Sequence, residues 1–150
     1  MARGFRMGGA GGGGEKEKVI YDNGSWGVPY DNPGSWSGAT TGATLNATSV
    51  SVTSTSSNAA LIATSNLIDL SNYTMVKILA HNTGQATPQI AVTDAKDTGT
   101  SHILARTVLP LNSAYTEYVV DVTNVSSGYI VVNSAASYSR TCEFTKIWLE

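Results

Sequence analysis

Within residues 21–36 one phrase occurs nearly twice, first as Tyr21-Asp22-Asn23-Gly24-Ser25-Trp26 and then as Tyr30-Asp31-Asn32-Pro33-Gly34-Ser35-Trp36. These residue types can hold a sugar: an indole or phenol face takes the apolar C–H face of a pyranose, while carboxylate and amide groups hydrogen-bond its hydroxyls. On that reading Trp36 and Tyr30 are the platform, with Trp26, Asp31 and Asn32 behind them. The same residues also support a purely structural reading. Asn-Gly and Pro-Gly are strong turn formers, so two consecutive turns would each seat a tryptophan on the edge of a sandwich and cover an open end of its core. A third use of the tryptophans and tyrosines is subunit contact.

Other chemistry finds less material. His81 and His102 are the two histidines, and neither lies in a Gly-x-Ser-x-Gly elbow, a His-Glu-x-x-His pair or a spaced Cys/His set. Asp69 and Asp121 fall where turn capping or strand-end hydrogen bonding accounts for them, so paired carboxylates for glycoside cleavage are not expected there. Asp94 and Asp97 could offer two oxygens to Ca²⁺, far short of the six to eight a calcium site needs. The glycines at 8–14 do not follow a strand and open a helix, which excludes a nucleotide loop. Cys142 is the single cysteine, within the apolar run "CEFTKIWL", and is expected to be a buried inert thiol. The expectation is a protein that is not an enzyme and needs no cofactor.

The elements that would position these groups are strands. Of the 150 residues 41% are hydrophobic, enough for the core of one domain, but only 13% are charged against the roughly 25% usual in soluble domains. Residues 1–18 carry Arg3, Arg6, Lys16 and Lys18 against Glu15 and Glu17, so this segment is +2 and the rest of the −2 chain is −4. An acidic body repels a phosphate backbone, and nucleic-acid partners are not expected. No apolar run approaches a membrane span, and "MARGFRMGGAGGGG" has basic residues without the apolar region of a secretory signal.

Residues 1–18 read as a glycine-rich N-terminal arm, and 19–150 as one all-β domain with period-two apolar alternation broken by Gly, Asn, Ser and Pro. Eight to ten short strands are expected. "TLNATSVSVTS" and "NAALIATS" are expected to partner each other, "YTMVKILAH" to be a central strand, and "AKDTGTS" to be a hairpin loop. "YTEYVVDVT" puts Tyr118, Val120 and Val122 on one face, Trp148 is expected in the core, and the only helical candidate is a turn around Leu67–Asn72. This pattern predicts an antiparallel β-sandwich.

The order "VIYDNG", a Trp-bearing loop, "NLIDLSNYTMVKI", "YVVDVTNVSSGYIVV" and a terminal "KIWLE" resembles jelly-roll sandwiches of the galactose-binding-like, carbohydrate-binding-module type, and more narrowly those in structural proteins of phages of Gram-positive bacteria. The resemblance covers residues 19–150. It implies that an Asp-Leu turn closes one edge before a strand crosses the core, and that "DVTNVSSGYIVV" links two adjacent strands by a short turn. It also implies a noncatalytic virion protein, a capsid decoration or a tail or baseplate accessory. The arm would anchor it through Arg3, Phe5 and Arg6, with other virion proteins, copies of itself and host-surface glycans as partners. The alternative is a stand-alone or fused glycan-binding module. Sandwiches of this kind often carry a structural Ca²⁺ near the first and last strands, for which Asp22 and Asn23 with Glu143 or Glu150 would be the ligands.

Overall fold

A computed structural model describes residues 17–84, 88–136 and 140–150. The anchors expected of the arm, Arg3, Phe5 and Arg6, lie outside the described residues. Among the described residues there are fourteen strands: β1 (Lys18–Asp22), β2 (Ser25–Trp26), β3 (Tyr30–Asp31), β4 (Thr41–Gly42), β5 (Thr44–Leu45), β6 (Val50–Ser54), β7 (Ala60–Thr64), β8 (Ile68–Asp69), β9 (Met75–Asn82), β10 (Gln89–Thr93), β11 (Ile103–Val108), β12 (Asn112–Asp121), β13 (Ser127–Ser134) and β14 (Arg140–Leu149). Five of them are two residues long, which leaves nine substantial strands.

They form two sheets packed face to face, a jelly-roll sandwich. Sheet A runs β12-β9-β14-β1-β2, with β6 on β14 and β5 on β6; sheet B runs β11-β10-β13-β7-β3, with β4 on β7 and β8 on β13. Pairing is antiparallel except for the short parallel contact of β4 with β7. Strand β9 is central, as its alternation predicts, with Val76, Ile78 and Ala80 fully buried between the sheets. Phe144, Ile147 and Leu149 of β14 and Ile20 and Tyr21 of β1 meet Ile62, Ile90, Ile130 and Val132 of sheet B in the main core.

Two expected pairings are corrected. Strands β6 and β7 are consecutive but do not bond to each other: β6 adds to β14 of sheet A and β7 to β13 of sheet B. Likewise the turn after "DVTNV" carries the chain from β12 in sheet A to β13 in sheet B, not between hydrogen-bonded neighbours. In both places inward-facing apolar residues satisfy either sheet, so periodicity identifies the strands without their partners. The stretch Leu67–Asn72 is not helical; it holds β8 and a turn in which Asp69 accepts bonds from the backbone N–H and hydroxyl of Ser71. The helical piece among the described residues is a single 3-10 turn, Thr100–His102, inside the expected β10–β11 hairpin loop. No helix among the described residues is long and apolar enough to cross a membrane.

Candidate functional site

The doubled phrase divides between the sheets. Its first half is a hairpin: Tyr21 pairs with Trp26 and Asp22 with Ser25, across Asn23 and Gly24, both at positive φ (51° and 101°). That is the backbone a two-residue turn demands between twisted strands, and Asn-Gly accepts it at least cost. Its second half leaves sheet A altogether, since β3 pairs with β7. Residues 26–30 therefore bridge the sheets, and the aromatic rings close that end of the core. Trp26 stacks on Tyr30 with centroids 4.7 Å apart and packs 5.0 Å from Tyr21, which meets Phe144 edge-on at 5.3 Å.

Of the five sugar-site residues expected from sequence, Trp36 has no open face. It is 5% exposed, packed on Leu61, Ala63, Ala91 and Val131 on the outer side of sheet B and against the edge of Tyr129. Asp31 is held by Lys96 Nζ at 2.8 Å and the Ser65 hydroxyl at 2.8 Å. Burial pushes its carboxyl upward, but those two partners outweigh it and the net effect holds Asp31 below the usual carboxylate range. Asn32 is spent on backbone: its Nδ2 donates to the Ala43 carbonyl at 3.0 Å and its Oδ1 accepts from the Ala43 N–H. Among the aromatic rings of the phrase, Tyr30, 37% exposed, and the partly buried Trp26 are the ones left toward solvent.

The structure gathers a different set on the outer face of sheet A. Strands β12, β9 and β14 lie side by side, and the phase of each that points away from the core is mostly polar or aromatic, with Val119 and Leu79 the aliphatic members: Tyr115, Glu117 and Val119; Lys77, Leu79 and His81; Glu143, Lys146 and Trp148. Lys77 sits between Glu117 and Glu150, 3.1 Å from each carboxylate, and these partners raise its pKa. Glu150 also accepts the Trp148 indole N–H at 2.8 Å, and that bond together with Lys77 lowers its pKa.

Trp148 was expected in the core. It is buried at 7%, yet it belongs to neither core cluster; it faces outward, next to Lys77 across the pair, with the Lys146 ammonium 4.7 Å from its ring centroid. Its neighbours Ile147 and Leu149 face the core, so a run of three apolar residues hides which phase the tryptophan takes.

At the other end of the face, Glu143 takes the Ser49 hydroxyl on Oε2 and His81 Nε2 on Oε1 at 2.9 Å. The hydroxyl first and the imidazole second hold the Glu143 carboxyl below its ordinary range. Tyr115, 43% exposed, lies over His81 with centroids 4.4 Å apart; partial burial and the Glu143 charge raise its phenol. Serine, carboxylate and imidazole here do not form a nucleophile relay, because the carboxylate stands in the middle and the hydroxyl has no base to take its proton. A signal for this face existed in sequence, in the outward residues Met75, Lys77 and Leu79 of β9, but Tyr115, Glu143 and Trp148 join it only through pairing across strands distant in the chain.

The remaining polar candidates have local roles. Asp121 caps Thr123 as Asp69 caps Ser71, accepting the i+2 backbone N–H at 2.9 Å and the hydroxyl at 2.7 Å. Asp94 pairs with His102 Nδ1 at 2.8 Å and Asp97 accepts the Gly99 N–H at 2.7 Å. Of the residues proposed for calcium, Glu143 and Glu150 stand roughly 20 Å apart along β14, each committed as described. Among the described residues no group of three His, Cys, Asp or Glu side chains is placed to hold a metal ion. Cys142 is fully buried, and burial pushes its thiol up to about 12.

No protein-family model matches the sequence, and no curated protein matches it. Solved structures of similar fold include carbohydrate-binding modules. A family 29 module superposes with a TM-score of 0.63 at 14% identity, covering 89% of this chain and 86% of that one. A variant of CBM29-2 complexed with cellulohexaose gives 0.63 at 14%, covering 89% of each chain, and another complexed with mannohexaose gives 0.60 at 14% with the same coverage. At that identity the likeness establishes the fold: a carbohydrate-binding-module-like jelly roll.

Proposed function

We propose that this domain is a noncatalytic glycan-binding module whose docking surface is the outer face of sheet A. The observation that carries the reading is the outward row Tyr115, His81, Glu143, Lys77 and Glu117 across three adjacent strands, with Tyr115 and Glu117 exposed and Trp148 covered beside Lys146. It combines aromatic area with fixed donors and acceptors, which a sugar chain needs for stacking and for its hydroxyls. The face carries Glu117, Glu143 and Glu150 against Lys77 and Lys146, so a neutral chain is favoured over an anionic one. Cellulohexaose and mannohexaose, ligands of the similar modules, are the first to try. Tyr30, the exposed ring of the doubled phrase, offers the competing place of contact.

Calorimetric titration with both hexasaccharides tests this. Binding that falls about three- to tenfold in Tyr115→Ala, the range of one aromatic contact, and in Lys77→Ala, but stays level in Tyr30→Ala, supports the face; the reverse order moves the site to the sheet junction. Absence of binding to any neutral glycan on an array would remove the function.

The narrower reading, a virion structural protein displaying this domain, rests on the Gly/Arg composition of residues 1–18 and the resemblance to phage domains. Deleting residues 1–18 tests it: loss of particle incorporation with an intact fold supports it, and unchanged behaviour removes it.

A further inference from the structure

The outer side of sheet B is not closed everywhere. Beyond Trp36, the segment that crosses this sheet leaves a cavity of about 410 Å³, lined by Gly38, Ala59, Thr98, Thr100 and Ile103 and floored by Gln89, Arg106 and Asn133 of β10, β11 and β13. The volume lies within the roughly 300–1,000 Å³ of small-molecule sites.

Its floor is a chain of polar side chains with a direction. Arg106 Nη1 donates to Gln89 Oε1 at 3.4 Å, and Gln89 Nε2 donates to Asn133 Oδ1 at 3.1 Å. Each amide oxygen of the row accepts one of these bonds, and toward the cavity lie most of the Arg106 guanidinium N–H groups, the Asn133 amide N–H groups and the hydroxyls of Thr98 and Thr100, which can donate as well as accept. No carboxylate lines the cavity, and among the described residues Arg106 makes no ion pair. Asp97, next to Thr98 in the chain, accepts the Gly99 N–H at 2.7 Å, and Asp31 and Asp94 of the same sheet are paired with Lys96 and His102.

We propose that this cavity binds a hexuronic acid, its carboxylate on the Arg106 fork and its ring hydroxyls on Asn133, Thr98 and Thr100. A guanidinium is built for two parallel bonds to a carboxylate, and Gly38 and Ala59 supply walls with no more than a methyl group at which a ring can lie. The site is on the opposite sheet from the face assigned to neutral glycans, has the opposite charge preference, and stands whether or not that assignment does.

The test is titration of the full 150-residue chain with D-glucuronate and D-galacturonate, followed by amide and side-chain NMR shifts, with D-glucose and inorganic phosphate in parallel. Hexuronate shifts confined to Thr98, Thr100, Gln89, Arg106 and Asn133, with glucose at least about tenfold weaker, are expected from a charge-assisted contact. Arg106→Gln should abolish the preference over glucose, and Arg106→Lys should restore part of it. Because Arg106 is exposed on an edge strand, both variants should retain the wild-type melting temperature, so a null result cannot be blamed on unfolding. Equal binding of glucose, phosphate binding as tight as hexuronate, shifts on sheet A, or indifference to Arg106→Gln would each overturn the proposal.

Discussion

Replacing Asn32 by alanine separates a framework residue from a ligand residue. In the structure Asn32 grips both backbone groups of Ala43, one bond in each direction, in a partly buried setting. That grip fastens the start of the segment that crosses sheet B to its far end, and Gly42 must lack a side chain because a Cβ there would collide with Asn32. Each bond contributes about 1 kcal/mol net, and stranding the partly buried N–H and carbonyl of Ala43 adds to that, for a total of about 2–3 kcal/mol. For a domain of this size about 1 kcal/mol moves Tm by 2–4 °C, so Asn32→Ala should lower Tm by roughly 4–12 °C. Circular-dichroism melts and urea titrations with an unchanged slope would measure it. Asn32→Asp is the sharper variant: it keeps an acceptor for the Ala43 N–H but turns a carboxylate oxygen on the Ala43 carbonyl, and should cost at least as much. A Tm within about 1 °C of wild type in both, with weakened sugar binding, would show that Asn32 faces ligand and that the reasoning is wrong.

Phe144→Ala should be among the most damaging substitutions, about 3–5 kcal/mol, since Phe144 is fully buried between Tyr21 and Trp26; equilibrium denaturation reads it directly. Cys142 should resist thiol reagents in the native state and react only as fast as the domain opens, because its thiol is buried and pushed up to about 12; labelling kinetics in increasing urea check this. Glu143 and Asp31 have folded-state pKa values below their ordinary ones. The unfolded chain therefore holds the proton more tightly, the stabilisation is complete above the ordinary carboxylate range, and it is lost as pH falls through the lower folded values. Melts from pH 6 down to pH 2 should show this fall, and Glu143→Gln should flatten part of it. Lys146→Ala should uncover Trp148 and shift the protein's fluorescence to the red; an unchanged spectrum would mean that other side chains bury the indole.

The strands were legible because alternation at period two survives wherever one face is wet. Val76, Ile78 and Ala80 in β9, Tyr118 and Val120 in β12, and Val122 just past the end of β12 point inward as their spacing requires. Partnership was not legible, because β6 and β7 have apolar inward residues that either sheet would accept. The doubled phrase misled for a related reason. Its two halves share residues but not surroundings: Trp26 seals the junction of the sheets, while Trp36 lies on the back of sheet B, where Leu61, Ala63, Ala91 and Val131 await it. Those four residues were the available signal. Strands β7 and β10 are buried at every position, so a cover was required on their second face.

The same contrast explains why the two outer faces differ in character. A sheet face can remain open only if its side chains are content in water, and on sheet A Lys77 pairs with Glu117 and Glu150, and His81 with Glu143, without a covering loop. That leaves a broad surface whose polar groups are already oriented, suited to an extended ligand lying across strands. Sheet B carries apolar residues on its outer phase near β7 and needs the Trp36 segment as a lid, so its ligand space is confined to the hollow beyond the lid's edge. There the phase turns polar, through Gln89, Arg106 and Asn133, at the positions the lid does not reach. A buried apolar cover cannot satisfy an arginine, so the polar switch and the hollow occur together; a compact anion is the occupant that satisfies both.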